Sequence, residues 1–321
     1  QAARLVTAAE DLPLGHTFSF PSRQTAYNDA VLLHWTKEIS TAGVEGRPVN
    51  QLLKDALIRA GRPRIVPAAI VNDTVATLLA AAYGRPGINI ASICGTGHNT
   101  AYLEPCYPPA GTPMIINLEA GNFAALPANG LDRLLDRHSD QPGRQRMEKM
   151  VSGRYLGELL RLSILTLSRQ HILPAVPVGH PLTVPYRLTG RDVAVLAAGN
   201  TPDRPALDEW LAGYSLKPAF TLPDHHILRA IARLLLKRSA RLAAASFLGI
   251  RAHLEQYQNI PCHIALDGSL YEKAPGYAEY LTAAFAEILP PSAVHPTINS
   301  TPNGSLIGAA VAAALVVPRS R

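Results

Sequence analysis

Apolar and polar positions follow two periods along this chain, and the switches between them outline its elements. Residues 65–71 are a short, almost wholly apolar run, the pattern of a strand buried on both faces, and residues 73–83 follow as a helix stopped by Gly84. The same order returns near the end: residues 263–266 read as a strand, Asp267-Gly268-Ser269 as a turn and residues 277–289 as a helix. Residues 88–94 and 99–103 flank Gly95-Thr96-Gly97-His98, and residues 114–119 add a strand, so the middle of the chain carries a small meander. Long helical periods run over 145–169 and 224–257, the second long enough to cross a whole domain. Residues 1–10 are helix formers with no N-cap before them and read as the end of an element that begins upstream. Residues 17–20 alternate like a strand, 30–39 read as a helix, and a further helix runs from Asn50, its expected N-cap, to Gly61. The Pro-rich stretch 174–185 reads as a surface loop, 294–298 as a last strand and 304–317 as a last, Ala-rich helix.

Composition narrows the class. With 47% hydrophobic and 17% charged residues, the 321-residue chain can bury one large core or two modest ones. Its net charge of +6 raises the question of a nucleic-acid partner. Yet Arg62, Arg64, Arg144, Arg146, Arg161 and Arg191 are scattered, and the densest basic group, 237–241, lies in a helical pattern where a solvated face explains it. The balance favours small anionic ligands such as nucleotides over nucleic acid. Cys94, Cys106 and Cys262 are odd in number and widely spaced, which fits neither a disulfide framework nor a zinc site and points to a reducing, cytoplasmic setting. The longest apolar run, 308–318, is shorter than the roughly 20 residues a membrane span needs.

Three Gly-rich turns are candidate phosphate cradles: Gly95-Thr96-Gly97 between two strands, Asp267-Gly268-Ser269 after a buried strand, and Asn303-Gly304-Ser305 at a helix start. Each also reads as an ordinary hairpin or cap. GxxxxGK[ST] and GxGxxG patterns are absent, so neither a Walker-type nor a dinucleotide fold is indicated. Asn72-Asp73-Thr74 lies at the carboxy end of a buried strand, where side chains of α/β proteins project into a crevice, so Asp73 is a candidate general base or else a helix cap. Glu119, Glu148 and Asn99 are groups that accept from and donate to sugar hydroxyls. His225 and His226 lack a third partner at metal-ligand spacing, and Cys94 reads as a small core residue.

Together these segments resemble the hexokinase family in order and spacing. The resemblance rests on Leu14-Gly15-His16-Thr17-Phe18-Ser19-Phe20-Pro21 with Trp35-Thr36-Lys37, then Val71-Asn72-Asp73-Thr74-Val75, Gly95-Thr96-Gly97-His98-Asn99 and Asn117-Leu118-Glu119. It continues through Glu148-Lys149-Met150, Tyr155-Leu156-Gly157-Glu158, Asp267-Gly268-Ser269-Leu270-Tyr271 and Gly304-Ser305 with Gly308-Ala309-Ala310.

The resemblance implies an α/β, actin-like ATPase (ribonuclease H-like) fold, with two α/β domains around a cleft that closes over the sugar and excludes water. It also implies that the N-terminal part of the small domain, with the family's first phosphate loop, lies upstream of Gln1. Residues 1–72 would be the remainder of the small domain, 73–300 the large domain and 301–321 a helix returning towards the small one. Asp73 would take the proton from the 6-hydroxyl of glucose or a related hexose as that oxygen attacks the γ-phosphorus of ATP. Ser19, Thr36, Lys37, Asn72, Asn99, Glu119 and Glu148 would hold the sugar. Gly95, Thr96, Gly97, Asp267, Gly268, Ser269, Gly304 and Ser305 would line the nucleotide site, with Mg2+ carried mainly by the nucleotide phosphates.

Several positions depart from the family pattern. His16 stands where an aromatic residue is usual, Ala120 where Trp is frequent, and Leu306-Ile307 where Gly and a small or basic residue are usual, while Tyr27 and Ile39 deviate mildly. A sugar-sensing regulatory protein that keeps the fold and pocket is the alternative: Asp73 argues for the enzyme, Leu306 and Ile307 for the sensor.

Overall fold

The computed structural model describes residues 11–35, 40–85, 87–109, 111–198, 204–217, 219–257 and 262–317. The helix expected over 1–10 lies outside these residues. In chain order the elements are β1 (Leu12–Thr17), β2 (Ser22–Ala26), β3 (Asp29–Leu32), α1 (Val49–Arg59), β4 (Ile65–Val71), α2 (Asp73–Gly84), β5 (Ile88–Cys94), β6 (His98–Tyr107) and β7 (Thr112–Asn117). There follow α3 (Gly130–His138), α4 (Arg146–Val151), α5 (Gly153–Arg169), α6 (Gly190–Ala197), α7 (Arg204–Gly213), α8 (Leu222–Leu254), β8 (His263–Asp267), α9 (Ser269–Lys273), α10 (Tyr277–Ile288), β9 (Thr297–Ser300) and α11 (Gly304–Val316). Five strands form a sheet in the order β7-β6-β5-β8-β9, while β1 with β4 and β2 with β3 make two-stranded sheets. The chain divides into one unit of residues 1–91, 101–117 and 301–321 and another of 92–100 and 118–300. Residues on both sides of the 72/73 boundary, in β4 and α2, lie in the first unit.

In the first unit, β1 runs parallel to β4 from Leu12↔Ile65 to Thr17↔Val71, with its register shifted between Leu14 and Gly15. Backbone packs on backbone beside that shift: a β-carbon on Gly15 would stand 1.8 Å from the Ala309 carbonyl oxygen, and one on Gly308 only 1.7 Å from that of Ala76. No side chain fits at either position, so α11 lies directly against β1 and α2.

Ala30, Leu32, Val49 and Ile70 form a small core, with Phe18, Phe20 and Trp35 packed on it. The Phe20 and Trp35 rings meet edge to face at 4.9 Å. Burying Leu32 or Ile70 stabilises by about 1.5–3 kcal/mol each. Of the helix expected over 30–39, residues 30–35 are described and none is helical. Residues 29–32 are strand β3, antiparallel to β2, with Ala30 and Leu32 buried and Val31 half-buried, so the period is two. Residues 33–35 are not helical, and 36–39 lie outside the described residues. Asn50 is not the cap of α1 either. Pro48 takes that position, and the buried Asn50 side chain instead donates to the Asn28 carbonyl (2.8 Å) and lies 2.8 Å from His16 Nδ1.

In the second unit, α8 is 33 residues long, about 50 Å at 1.5 Å per residue, and a Thr221/Asp224 capping box opens it. Ser239 on α8 donates to the Val151 carbonyl (2.7 Å) and lies 2.9 Å from the Tyr277 hydroxyl of α10. Glu158 and Arg161 form a buried bidentate ion pair, completed by Arg161 Nη1 to the Leu182 carbonyl and the Tyr186 amide to Glu158. Such a pair tolerates burial because its remaining hydrogen-bonding groups are also satisfied. Leu182 is fully buried, so the Pro-rich stretch is not a surface loop throughout.

The single helix expected over 145–169 is two helices broken at Ser152. The break aims the first amides of α5 at the Gly95 turn: Gly153 donates to the Gly95 carbonyl (2.8 Å) and Arg154 to that of Thr96 (3.2 Å). The last strand sits at 297–300, further along than expected, paired parallel with β8. Helices α3, α6, α7 and α9 and the β2–β3 hairpin were not expected.

Candidate active site

Two polar corners, one in each unit, hold most of the candidate residues. In the first unit Asp73 begins α2 immediately after β4. Asn72 is the cap: its Oδ1 accepts from the Thr74 amide (3.0 Å) and from Thr74 Oγ1 (2.6 Å). Asp73 Oδ1 also accepts from the Thr74 amide (2.8 Å), and the Asp73 amide donates to Ser19 Oγ (3.1 Å). Capping thus falls to Asn72, and no partner of Asp73 Oδ2 is found among the described residues. Thr74 also reaches Asn117 Oδ1 (3.3 Å), which ties α2 to the end of β7. The start of α11 belongs to this unit as well. Thr17 Oγ1 donates to the Ser305 carbonyl (3.2 Å), and a β-carbon on Gly304 would stand 2.9 Å from Thr77 Cγ2. Leu306 and Ile307 project outward, 71% and 48% exposed. Thr36 and Lys37 lie outside the described residues.

In the second unit Asn99, Glu119 and Glu148 converge around the short 3-10 turn Ala120–Asn122. Asn99 Oδ1 accepts from the Thr100 amide (2.7 Å) and the Ala120 amide (3.1 Å), pinning the backbone beside Glu119. Glu148 Oε1 lies over Gly97, where a β-carbon would come within 3.0 Å of it. Glu119 and Gln145, which precede the 3-10 turn and α4, both adopt left-handed backbone (φ 51° and 52°). That conformation costs roughly 1 kcal/mol for a non-Gly residue and recurs where structure is held for function. Gln145 and Gly121 carried no sequence signal of their own. Gln145 Oε1 nonetheless lies 2.7 Å from where a Gly121 β-carbon would stand, with the His98 carbonyl oxygen at 3.0 Å and Glu148 Cβ at 3.1 Å, so a side chain there would have to displace Gln145.

Two of the three Gly-rich turns meet in this unit. A β-carbon on Gly95 would touch Gly268 and Ser269 at 3.5 Å, and one on Gly268, with φ +118°, would come within 2.7 Å of the Cys94 carbonyl. The ends of β5 and β8 therefore pack backbone to backbone, with Asp267 at the end of β8 and Ser269 opening α9. Such a surface of bare backbone suits phosphate oxygens. Behind it His98 is buried, its Nδ1 3.8 Å from Cys94 Sγ. Burial pushes His98 down to about 4, with a hydrogen bond to the Ile93 backbone opposing, so its imidazole is neutral at pH 7. Burial likewise pushes Cys94 up to about 12, which leaves a core thiol rather than a nucleophile, as expected from sequence.

The chain as a whole matches known proteins. Two family models, each described as hexokinase, match residues 1–83 and 89–315. Hexokinase-2 of Candida albicans is 36% identical over 336 aligned residues, which covers 97% of this chain and 67% of that protein. Hexokinase-1 of Arabidopsis thaliana is 33% identical, covering 94% of this chain and 64% of that protein. The chain thus spans about two thirds of the length of these relatives. Among solved structures, the hexokinase from Schistosoma mansoni complexed with glucose superposes with a TM-score of 0.84 at 32% identity, over 95% of this chain and 70% of that one. Family models, relatives and solved structures agree, and the chain belongs to the hexokinase family, ATP-dependent sugar kinases with the actin-like α/β fold.

Proposed function

We propose that this chain carries the catalytic residues for transfer of the γ-phosphoryl group of ATP to the 6-hydroxyl of glucose or a related hexose, with Asp73 as general base. The observation that carries the reading is the placement of Asp73. Its backbone is held by Ser19 and its Oδ1 by the Thr74 amide, which leaves Oδ2 to accept a proton. The sugar oxygen bonds to the γ-phosphorus, the bond to the β,γ-bridging oxygen breaks, ADP leaves, and the hydroxyl proton passes to Asp73. No covalent enzyme intermediate forms.

Ser19, Thr36, Lys37, Asn72, Asn99, Glu119 and Glu148 hold the sugar in this reading. The Oδ1 atoms of Asn72 and Asn99 accept from the protein itself, so each amide meets a hydroxyl through its NH2 group. Gly95, Thr96, Gly97, Asp267, Gly268, Ser269, Gly304 and Ser305 receive the nucleotide. A divalent ion, Mg2+ in this proposal, rides on the nucleotide phosphates, as a small hard cation that keeps several waters does. A cytoplasmic setting is proposed on the three free cysteines, and no helix among the described residues is long and apolar enough to cross a membrane.

The test is ATP-dependent phosphorylation of glucose, mannose, fructose and N-acetylglucosamine by this chain and by a version extended upstream. Turnover by either form that Asp73→Asn abolishes supports the reading. Sugar binding without turnover in both forms overturns it.

A further inference from the structure

Next to Glu148 on α4 stands Lys149, whose side chain is 5% exposed. Its Nζ donates to Asp136 Oδ1 (2.6 Å) and to the Gln141 carbonyl (2.7 Å). Asp136, in the last turn of α3, accepts the Gly143 amide through both oxygens (3.1 and 3.0 Å). One ion pair therefore fastens the end of α3, the turn through Gly143 and the last turn of α4. The helix it fastens has six residues and no side-chain cap, and a left-handed Gln145 precedes it. A helix that short has little stability of its own, so outside contacts fix its position. One such contact is the Met147 amide on the Phe123 carbonyl (3.1 Å); the Lys149 anchor is a charged one. Buried ion pairs add little net stability compared with apolar packing, and their better-attested use is to select one geometry.

We infer that the Asp136–Lys149 pair positions Glu148, and through it sets the affinity for the sugar. The inference rests on the reading of Glu148 as a sugar-holding carboxylate. Lys149 itself faces Asp136 and Gln141, so it acts through the placement of α4 and not as a ligand. The neighbouring Arg238–Asp132 ion pair instead joins α3 to α8, with Asp132 on α3 and Arg238 on α8. It supplies a matched control.

Steady-state kinetics and thermal unfolding of Lys149→Met, Asp136→Asn, Asp132→Asn and Glu148→Gln test this, each assayed well below its own melting temperature in the form of the protein that turns over. Lys149→Met and Asp136→Asn should raise KM for glucose about tenfold or more, as a misplacement near 1 Å does, with KM for ATP nearly unchanged. Lys149→Arg should restore most of the glucose affinity, and Asp132→Asn should lower the melting temperature while leaving KM for glucose alone. If Lys149→Met does not fold, Asp136→Asn, which keeps the size and an acceptor oxygen, carries the same measurement. Unfolding at lower temperature with unchanged KM for glucose in both would overturn the inference and leave the pair as scaffold. An unchanged KM in Glu148→Gln would instead remove the sugar-site reading of Glu148, and the inference with it.

Discussion

The Asp73 corner and the Glu148 corner present similar polar groups but are built in opposite ways. At the first, three consecutive residues do nearly everything: Asn72 caps α2, Thr74 answers both neighbours, and Asp73 is aimed by the strand-to-helix junction. At the second, Asn99, Glu119, Gln145 and Glu148 come from three separate segments, Gln145 and Glu148 sharing α4 and its cap. They are held by backbone in left-handed conformations, by glycines packed too closely to take a β-carbon without displacing a neighbour, and by a part-buried ion pair on α3 and α4. A locally built corner survives damage elsewhere, because its geometry is paid for by the helix it starts. An assembled corner depends on everything that brings its segments together, so it should be the more fragile of the two.

Substitutions break that contrast in order of effect. Asp73→Ala should lower kcat by about a thousandfold while sparing sugar binding and folding, because a base serves the transition state more than the ground state. Equal losses in kcat and in sugar binding, measured by kinetics beside calorimetric titration, would show that the first corner is not self-contained. Gly268→Ala strikes the assembled side. Its φ of +118° and the 2.7 Å approach to the Cys94 carbonyl leave no place for a methyl. The expected cost is about 3 kcal/mol in denaturant unfolding with a raised KM for ATP; a wild-type midpoint would show that β5 and β8 can separate freely.

His98 sharpens the comparison through pH. Its folded pKa is lowered to about 4, chiefly by burial, while the unfolded value stays near 6.5. Between those values the unfolded chain binds the proton and the folded one does not. The contribution of His98 to stability is therefore whole above pH 6.5 and falls as pH drops towards 4, by a few kcal/mol at most. His98→Thr should flatten that part of the stability profile, and an identical slope in the variant would assign the loss to other groups. The smallest effect belongs to the local corner: Thr74→Val removes the 2.6 Å bond to Asn72 and should cost about 1–2 kcal/mol of stability with a modest change in kcat. A large drop in kcat would mean that Asn72 needs Thr74 to present its amide.

The first corner was legible in the sequence for the reason that makes it robust. Asn-Asp-Thr after seven apolar residues is a strand end, a cap and a helix start within ten positions, and local rules of capping and burial apply there directly. What those rules left open was the division of labour, since Asp73 and Asn72 both make good caps. The break at Ser152 was missed because the apolar positions keep a helical period on either side of it, although Ser152-Gly153 is itself a turn signal. It exists to let α5 donate two amides to a turn more than fifty positions earlier. Residues 30–39 misled for a related reason: a run of Ala, Val and Leu suits either period, and pairing with β2 decided for the strand.

By itself, the sequence determined the strand-turn-helix order, the Gly-rich turns, the family likeness and the identity of the polar groups, because each depends on residues near one another or on a pattern carried intact. Only the tertiary structure decided which of those groups meet. It placed Glu148 over Gly97, packed Gly268 on Cys94 and closed Lys149 on Asp136, since these contacts join segments far apart in the chain and depend on how backbones approach when no side chain stands between them.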